Sequence, residues 1–170
     1  MNQSVRLHSS HTIQFVRFDE SMFQAFSLMN RLGVRHLPVT DHANNIIGML
    51  SDRDIQRAMQ TDSRYGSADR PYYTFESDAT VQDYMSTPVE TIGENASVAD
   101  AARVMLENKI SSLIVTSEDS TTGIITTEDL LRFIVERDES SLTHFKDNIK
   151  SALASSPVGD VAQSLANSGI

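Results

Sequence analysis

Cysteine is absent from the 170 residues, which excludes a disulfide framework, thiolate chemistry and a Cys-ligated zinc site. Long apolar runs are missing too, and the opening Met1-Asn2-Gln3-Ser4-Val5-Arg6 has no apolar h-region. The expectation is a cytoplasmic protein with no membrane partner. Positive charge is scarce: 14 Lys and Arg stand against 23 Asp and Glu, a formal net charge of −9. Duplex binding requires phosphate neutralisation, so nucleic acid is not the expected main partner, whereas a small anion held by local basic residues stays open. His8, His11, His42 and His144 form no metal-spaced cluster with carboxylates. No Gly-x-Gly-x-x-Gly, phosphate loop, Gly-x-Ser-x-Gly elbow or His-Glu-x-x-His is present, and no nucleophile–base pair stands out. Catalytic residues and a metal are therefore not expected, and an enzyme is the least favoured class.

What remains is ordinary globular composition, 39% apolar and 22% charged, in a chain long enough to bury a real core. The most telling stretch is Gly48-Met49-Leu50-Ser51-Asp52-Arg53-Asp54, with its echo Gly123-Ile124-Ile125-Thr126-Thr127-Glu128-Asp129. Each reads as a short buried strand running into a hydroxyl-capped helix. Free backbone N–H groups and the positive dipole end there attract anions, and the carboxylate one turn in can accept bonds from sugar hydroxyls.

The rest of the chain repeats around that stretch. Residues 13–18 are rich in β-formers and read as a strand. A helix opens at Asp19-Glu20-Ser21, carries Met22, Phe23, Phe26, Met29 and Leu32 at helical spacing, and stops at Gly33. Strands at 37–39 and 46–50 flank a turn at 41–45, and a helix spans 52–60. The pattern restarts with a short helix at 81–85 and a strand at 89–92. A helix at 97–108 follows, with Val98, Ala101, Ala102, Met105 and Leu106 on its apolar face. Strands at 113–115 and 123–125 surround a turn at 117–122, and a helix spans 128–135. Residues 1–11 are polar and uninformative. Overlaid, Ser21 matches Ser97, Ala25 Ala101, Met29 Met105 and Val39 Val115. After a one-residue difference in the turn, Gly48 matches Gly123, Asp54 Asp129 and Arg57 Arg132. This is a duplicated β-α-β-β-α repeat. At roughly 55–60 residues, each copy buries too little surface to stand comfortably alone.

Helix capping competes with the ligand reading at Ser51-x-x-Asp54 and Thr126-x-x-Asp129. Ser21-x-x-Gln24, Thr80-x-x-Asp83 and Ser97-x-x-Asp100 show that this chain caps helices the same way elsewhere. Only the two candidate stretches add a leading Gly, which permits close approach by a ligand or another backbone. Arg35-His36, at a strand entrance, reads equally as a cationic pair for phosphate oxygens or as a solvated basic pair. Its match, Ser111-Ser112, is uncharged, and Arg53 matches Glu128. Both differences make the first motif the better phosphate host.

The segments GVRHLPVTD…IIGMLSDRDI, VQDYMSTPVETI, ASVADA and GIITTEDLL resemble a tandem pair of CBS domains, the cystathionine-β-synthase type, also called a Bateman module. The resemblance implies an α/β (α+β) fold in which two β-α-β-β-α units pack as a pseudo-twofold pair joined through their sheets, with two clefts between them. The boundaries are 8–62 for the first CBS domain, 63–77 for a polar linker, 78–138 for the second domain and 139–170 for a helical tail. Proteins of this family bind adenosine-containing molecules, so the implied ligand is AMP, ADP or ATP, with S-adenosylmethionine or NAD as further options and no obligatory cofactor. By position, Asp54 and Asp129 would hold ribose hydroxyls, and Ser51 and Thr126 would contact ribose or phosphate. Val34 and Ile110 would lie against the base, and Arg35, His36, Ser111, Ser112 and Arg53 would meet or favour phosphate. The expectation is a regulatory sensor that binds adenine nucleotide in one cleft, forms a homodimer and signals to an unidentified regulated protein. The alternative is a ligand-free structural or dimerisation module. The chain departs from the family pattern in three places. The first repeat lacks the Val-x-Asp-x-x-Met lead seen at Val81-Gln82-Asp83-Tyr84-Met85, Ile114 replaces Pro38, and the linker is long. In the tail, Leu142, Phe145, Ile149 and Leu153 sit at helical spacing, Pro157-Val158-Gly159 ends that helix, and the apolar face is expected to extend the dimer interface.

Overall fold

Two short 3₁₀ turns at corresponding places in the repeats organise the molecule. In the computed structural model, which describes residues 4–62, 64, 73–118 and 120–137, these turns are Val5–Leu7 and Val81–Asp83. The expected tail lies outside the described residues, as does much of the expected linker. The chain divides after Thr127 into two structural units. The first carries β1 (Val16–Arg17), α1 (Met22–Leu32), β2 (His36–Thr40), β3 (Ile46–Ser51), α2 (Asp52–Ala58), β4 (Gln60–Thr61) and β5 (Tyr73–Thr74). It continues with β6 (Thr91–Gly93), α3 (Val98–Asn108), β7 (Ser112–Ser117) and β8 (Ser120–Thr126). Helix α4 (Thr127–Arg137) belongs to the second unit from Glu128 onward, where Arg132 and Glu128 form an i,i+4 pair at 3.6 Å.

Each repeat builds one three-stranded sheet, in the orders β1-β2-β3 and β6-β7-β8, the first pair parallel and the second antiparallel. The register is irregular at matching places, between Val39 and Thr40 and between Val115 and Thr116. The long helices match as well. Ser21 caps α1 by accepting from the Gln24 N–H, and Ser97 caps α3 by accepting from the Asp100 N–H. Met22, Ala25 and Met29 of α1 and Val98, Ala101 and Met105 of α3 form the buried stripes. Phe23, 63% exposed, and Leu106, 79% exposed, do not join them. Each stands one residue, about 100°, beyond a buried methionine and points away from the core. Phe26 is half-buried, with its ring 5.8 Å from that of Phe75. This is the fold class implied by the family resemblance. Helix α2 is shorter than expected, because Gln60 and Thr61 turn into a strand that pairs with Tyr73 and Thr74. The turn after β7 is tighter than expected, with Ser117 pairing directly with Ser120.

The N-terminal segment is the main correction to the sequence reading. Val5 has no solvent exposure. Its N–H donates to the Ala96 carbonyl at 2.9 Å, and the Arg6 N–H donates to Glu94 at 3.1 Å. The second lead does the same on the first repeat: Val81 N–H to Glu20 at 2.9 Å and Gln82 N–H to Phe18 at 2.9 Å. Residues 4–10 are thus the missing first lead, with Leu7, His8 and Ser9 where the second has Asp83, Tyr84 and Met85. The leads are exchanged, each completing the other repeat. Further along, Ser10 and Ile124 exchange two backbone bonds, and so do Ser86 and Met49. That crossing explains the paired glycines. A Cβ on Gly48 would lie 2.5 Å from the Met85 Sδ, and one on Gly123 would lie 3.0 Å from the Ser10 carbonyl oxygen. The close approach is by the crossing leads, through the Met85 side chain at Gly48 and through Ser9 and the Ser10 backbone at Gly123.

Val5→Ala and Val81→Ala should each cost about 1.5–3 kcal/mol of unfolding free energy, read from the urea midpoint. Wild-type stability in Val5→Ala would remove the N-terminal segment from the core.

Candidate functional site

The first unit contains a cleft of about 380 Å³, at the small end of the range for small-molecule sites, roughly 300–1,000 Å³. One wall comes from the first repeat: His36 where β2 starts, Ser51 where β3 ends, and Arg53, Asp54 and Arg57 on α2. The facing wall is Lys109-Ile110-Ser111-Ser112, the passage from α3 into β7, and the segment Ser86 to Glu90 supplies the rest. The β2–β3 register sets His36 directly opposite Ser51, so the two belong to one end of the sheet.

Asp54 is the buried charge of the site, 6% exposed, and a buried carboxylate requires partners. One oxygen accepts both the Ser51 N–H at 2.8 Å and the Ser51 hydroxyl at 2.6 Å. The other accepts from the Arg57 guanidinium at 2.6 Å. The first oxygen repeats the arrangement at Thr80–Asp83 and Ser97–Asp100, so Asp54 does cap its helix. It is also the only one of these three acids that lines the cleft. A carboxylate offers about four lone-pair positions, and these three bonds leave one for an incoming hydroxyl. Arg57 also donates to the Tyr84 carbonyl at 3.1 Å, tying the cleft wall to the exchanged lead.

His36 does not behave as the cation expected of an Arg-His pair. Its Nε2 is 2.8 Å from the Ser111 Oγ. Burial pushes its pKa below the ordinary imidazole value, against the attraction of nearby Asp52. It therefore stands neutral at pH 7 and acts by hydrogen bonding. Arg35 does not line the cleft, and its carbonyl accepts the Asp52 N–H at 2.9 Å.

The cleft thus brings together His36, Ser51, Arg53 and Asp54 with Ile110, Ser111 and Ser112. In the overlay the two serines are the second repeat's match for Arg35 and His36. The hydrogen bond between His36 and Ser111 unites the two repeats in one cleft because their strand entrances face each other. Val34 and Thr126 do not line it, and Asp129 lies in the first turn of α4, in the second unit. Arg57, Lys109, Met49 and the Ser86 to Glu90 segment were missed. Arg57 had a signal in its i,i+3 spacing from Asp54. Lys109 had one in the overlay, where it falls on Gly33. The residues at 86–90 had none, since only the exchange of leads brings them there.

A folded-state pKa held below the unfolded value of about 6.5 means that the unfolded chain takes up the proton first as pH falls. The stability contributed by neutral His36 is therefore present above that value and is lost below it. Between pH 7 and 5, wild type should lose more stability than His36→Gln in parallel urea titrations. Equal losses would show that His36 is not the titrating group.

The CBS domain family model matches residues 7–61 and 81–136. The uncharacterized protein MJ1404 of Methanocaldococcus jannaschii is 30% identical over 124 residues, covering 69% of this chain and 28% of that protein. The chain therefore spans little more than a quarter of that relative. Among solved structures, the CBS domain pair of protein MJ0100, in complex with 5′-methylthioadenosine and S-adenosyl-L-methionine, superposes with a TM-score of 0.65 at 21% identity. The match covers 81% of this chain and all of that one (100%). An uncharacterized conserved protein from Pyrococcus horikoshii gives 0.64 at 23% identity, covering 82% of this chain and 96% of that one. With both repeats matched, the exchanged leads in place and the strand entrances facing across one cleft, the chain belongs to the CBS domain family as a tandem pair.

Proposed function

We propose that this chain is a regulatory sensor that binds an adenosine-containing nucleotide in the cleft between Ser51–Asp54 and Ile110–Ser112, and is not an enzyme. The observation that carries this reading is the cleft itself. Its first-repeat wall offers a buried carboxylate with one lone-pair position left for a ribose hydroxyl. The Ser51 hydroxyl lies beside that carboxylate, and Ile110 supplies an apolar surface for a base. The adenosine ligands of the MJ0100 pair lend support by analogy of fold. Because the walls come from different repeats, a bound ligand links them, and that change is what a regulated partner would read. We place the protein in the cytoplasm as a homodimer. Among the described residues no helix is long and apolar enough to cross a membrane.

The capping role of Asp54 favours a second reading, a scaffold that binds nothing. Thermal shift across AMP, ADP, ATP, S-adenosylmethionine and NADH separates the two. A true ligand at a hundredfold excess over Kd should stabilise by about 2.7 kcal/mol, and Asp54→Ala should abolish the shift at a capping cost of about 0.5–2 kcal/mol. A flat response to every compound rejects the sensor. Nucleotide hydrolysis by purified protein would make it an enzyme.

A further inference from the structure

Lys109 and Gly33 close the two 11-residue helices α3 and α1, and both stand in the left-handed region, φ +56 and φ +65. Glycine enters that region freely, whereas a residue with a Cβ is strained there. The cap itself does not call for lysine. It is made by the Lys109 backbone N–H, which faces the carbonyls of Leu106 and Met105 just as the Gly33 N–H faces those of Asn30 and Met29. The second repeat therefore keeps a side chain where the first dispenses with one, and Lys109 is among the residues that line the cleft. Backbone strain retained at a site is a reason to look for a function.

The charges of the cleft supply one. Asp54 is neutralised by Arg57, and His36 is neutral. The charges that remain are Arg53 on one wall, Lys109 on the other and Glu90 on the segment between. Neither Arg53 nor Lys109 has an ion-pair partner among the described residues. The balance leaves one positive charge in excess with Lys109 present and none without it, in a chain whose net charge is −9.

We propose that Lys109 is a specificity-determining residue that, with Arg53 from the facing wall, reads ligand phosphate. The cleft then selects phosphorylated adenosine over uncharged adenosine or the sulfonium of S-adenosylmethionine. This rests on the sensor reading above and narrows its ligand class.

The test is isothermal titration of the full chain with adenosine, AMP, ADP, ATP and S-adenosylmethionine, for wild type, Lys109→Gly and Lys109→Arg. Glycine relieves the backbone while removing the charge, so lost binding cannot be blamed on a damaged cap. Wild type should prefer the phosphorylated ligands. Lys109→Gly should lose about tenfold in affinity for them, leave adenosine unchanged, and unfold at the same Tm or higher without ligand. Lys109→Arg should keep the preference. An unchanged phosphate preference in Lys109→Gly, an equal loss for adenosine, or a lower unliganded Tm would each overturn the proposal. If wild type binds adenosine without preferring phosphate, the inference fails and the sensor survives. Wild type that binds none of the five rejects both.

Discussion

Val5 and Val81 are both without solvent exposure, and each sits in a 3₁₀ turn that precedes one repeat and hydrogen-bonds to the other. Everything else in the first unit follows from that exchange. The core around β1, β2, β3 and the first two helices includes Ala79 and Val81, with Tyr84 and Met85 packed against it. None of these comes from the first repeat's own stretch of chain. A repeat of about 60 residues has little core to spare, and here each borrows its lid. A lead crosses each of the two glycines before the strand-helix turns, with the Met85 side chain against Gly48 and Ser9 and Ser10 against Gly123.

The exchange also builds the cleft. After crossing Met49, the second lead continues through Ser86 to Glu90 and forms part of the wall. Arg57 reaches from α2 to the Tyr84 carbonyl, so the residue that neutralises Asp54 also fastens the lead. Charge is consequently sorted by depth. The buried acid is satisfied from within the protein and the half-buried histidine is kept neutral. The exposed Arg53, Lys109 and Glu90 have no ion-pair partner among the described residues.

Much of this was legible from residue patterns. The duplication, the helix stripes of Met22, Ala25 and Met29 and of Val98, Ala101 and Met105, and the serine caps all depend on neighbours within a few positions. Periodicity and local hydrogen bonding report such neighbours faithfully. The same patterns misjudged Phe23 and Leu106, because an apolar residue one step off the stripe looks like part of it until the packing partner is known. They also passed over residues 4–10, whose single buried valine is too little signal among serines and histidines.

Local chemistry therefore determined the repeat, its strand-helix turns and the Ser51–Asp54 pair, since each is settled by residues close in the chain. Tertiary structure decided three things that adjacency cannot carry. It decided that the leads trade places, that the glycines make room for the crossing leads, and that Ser111 joins His36 in one cleft. Each is a contact between segments far apart in sequence, fixed only when two incomplete cores close on each other.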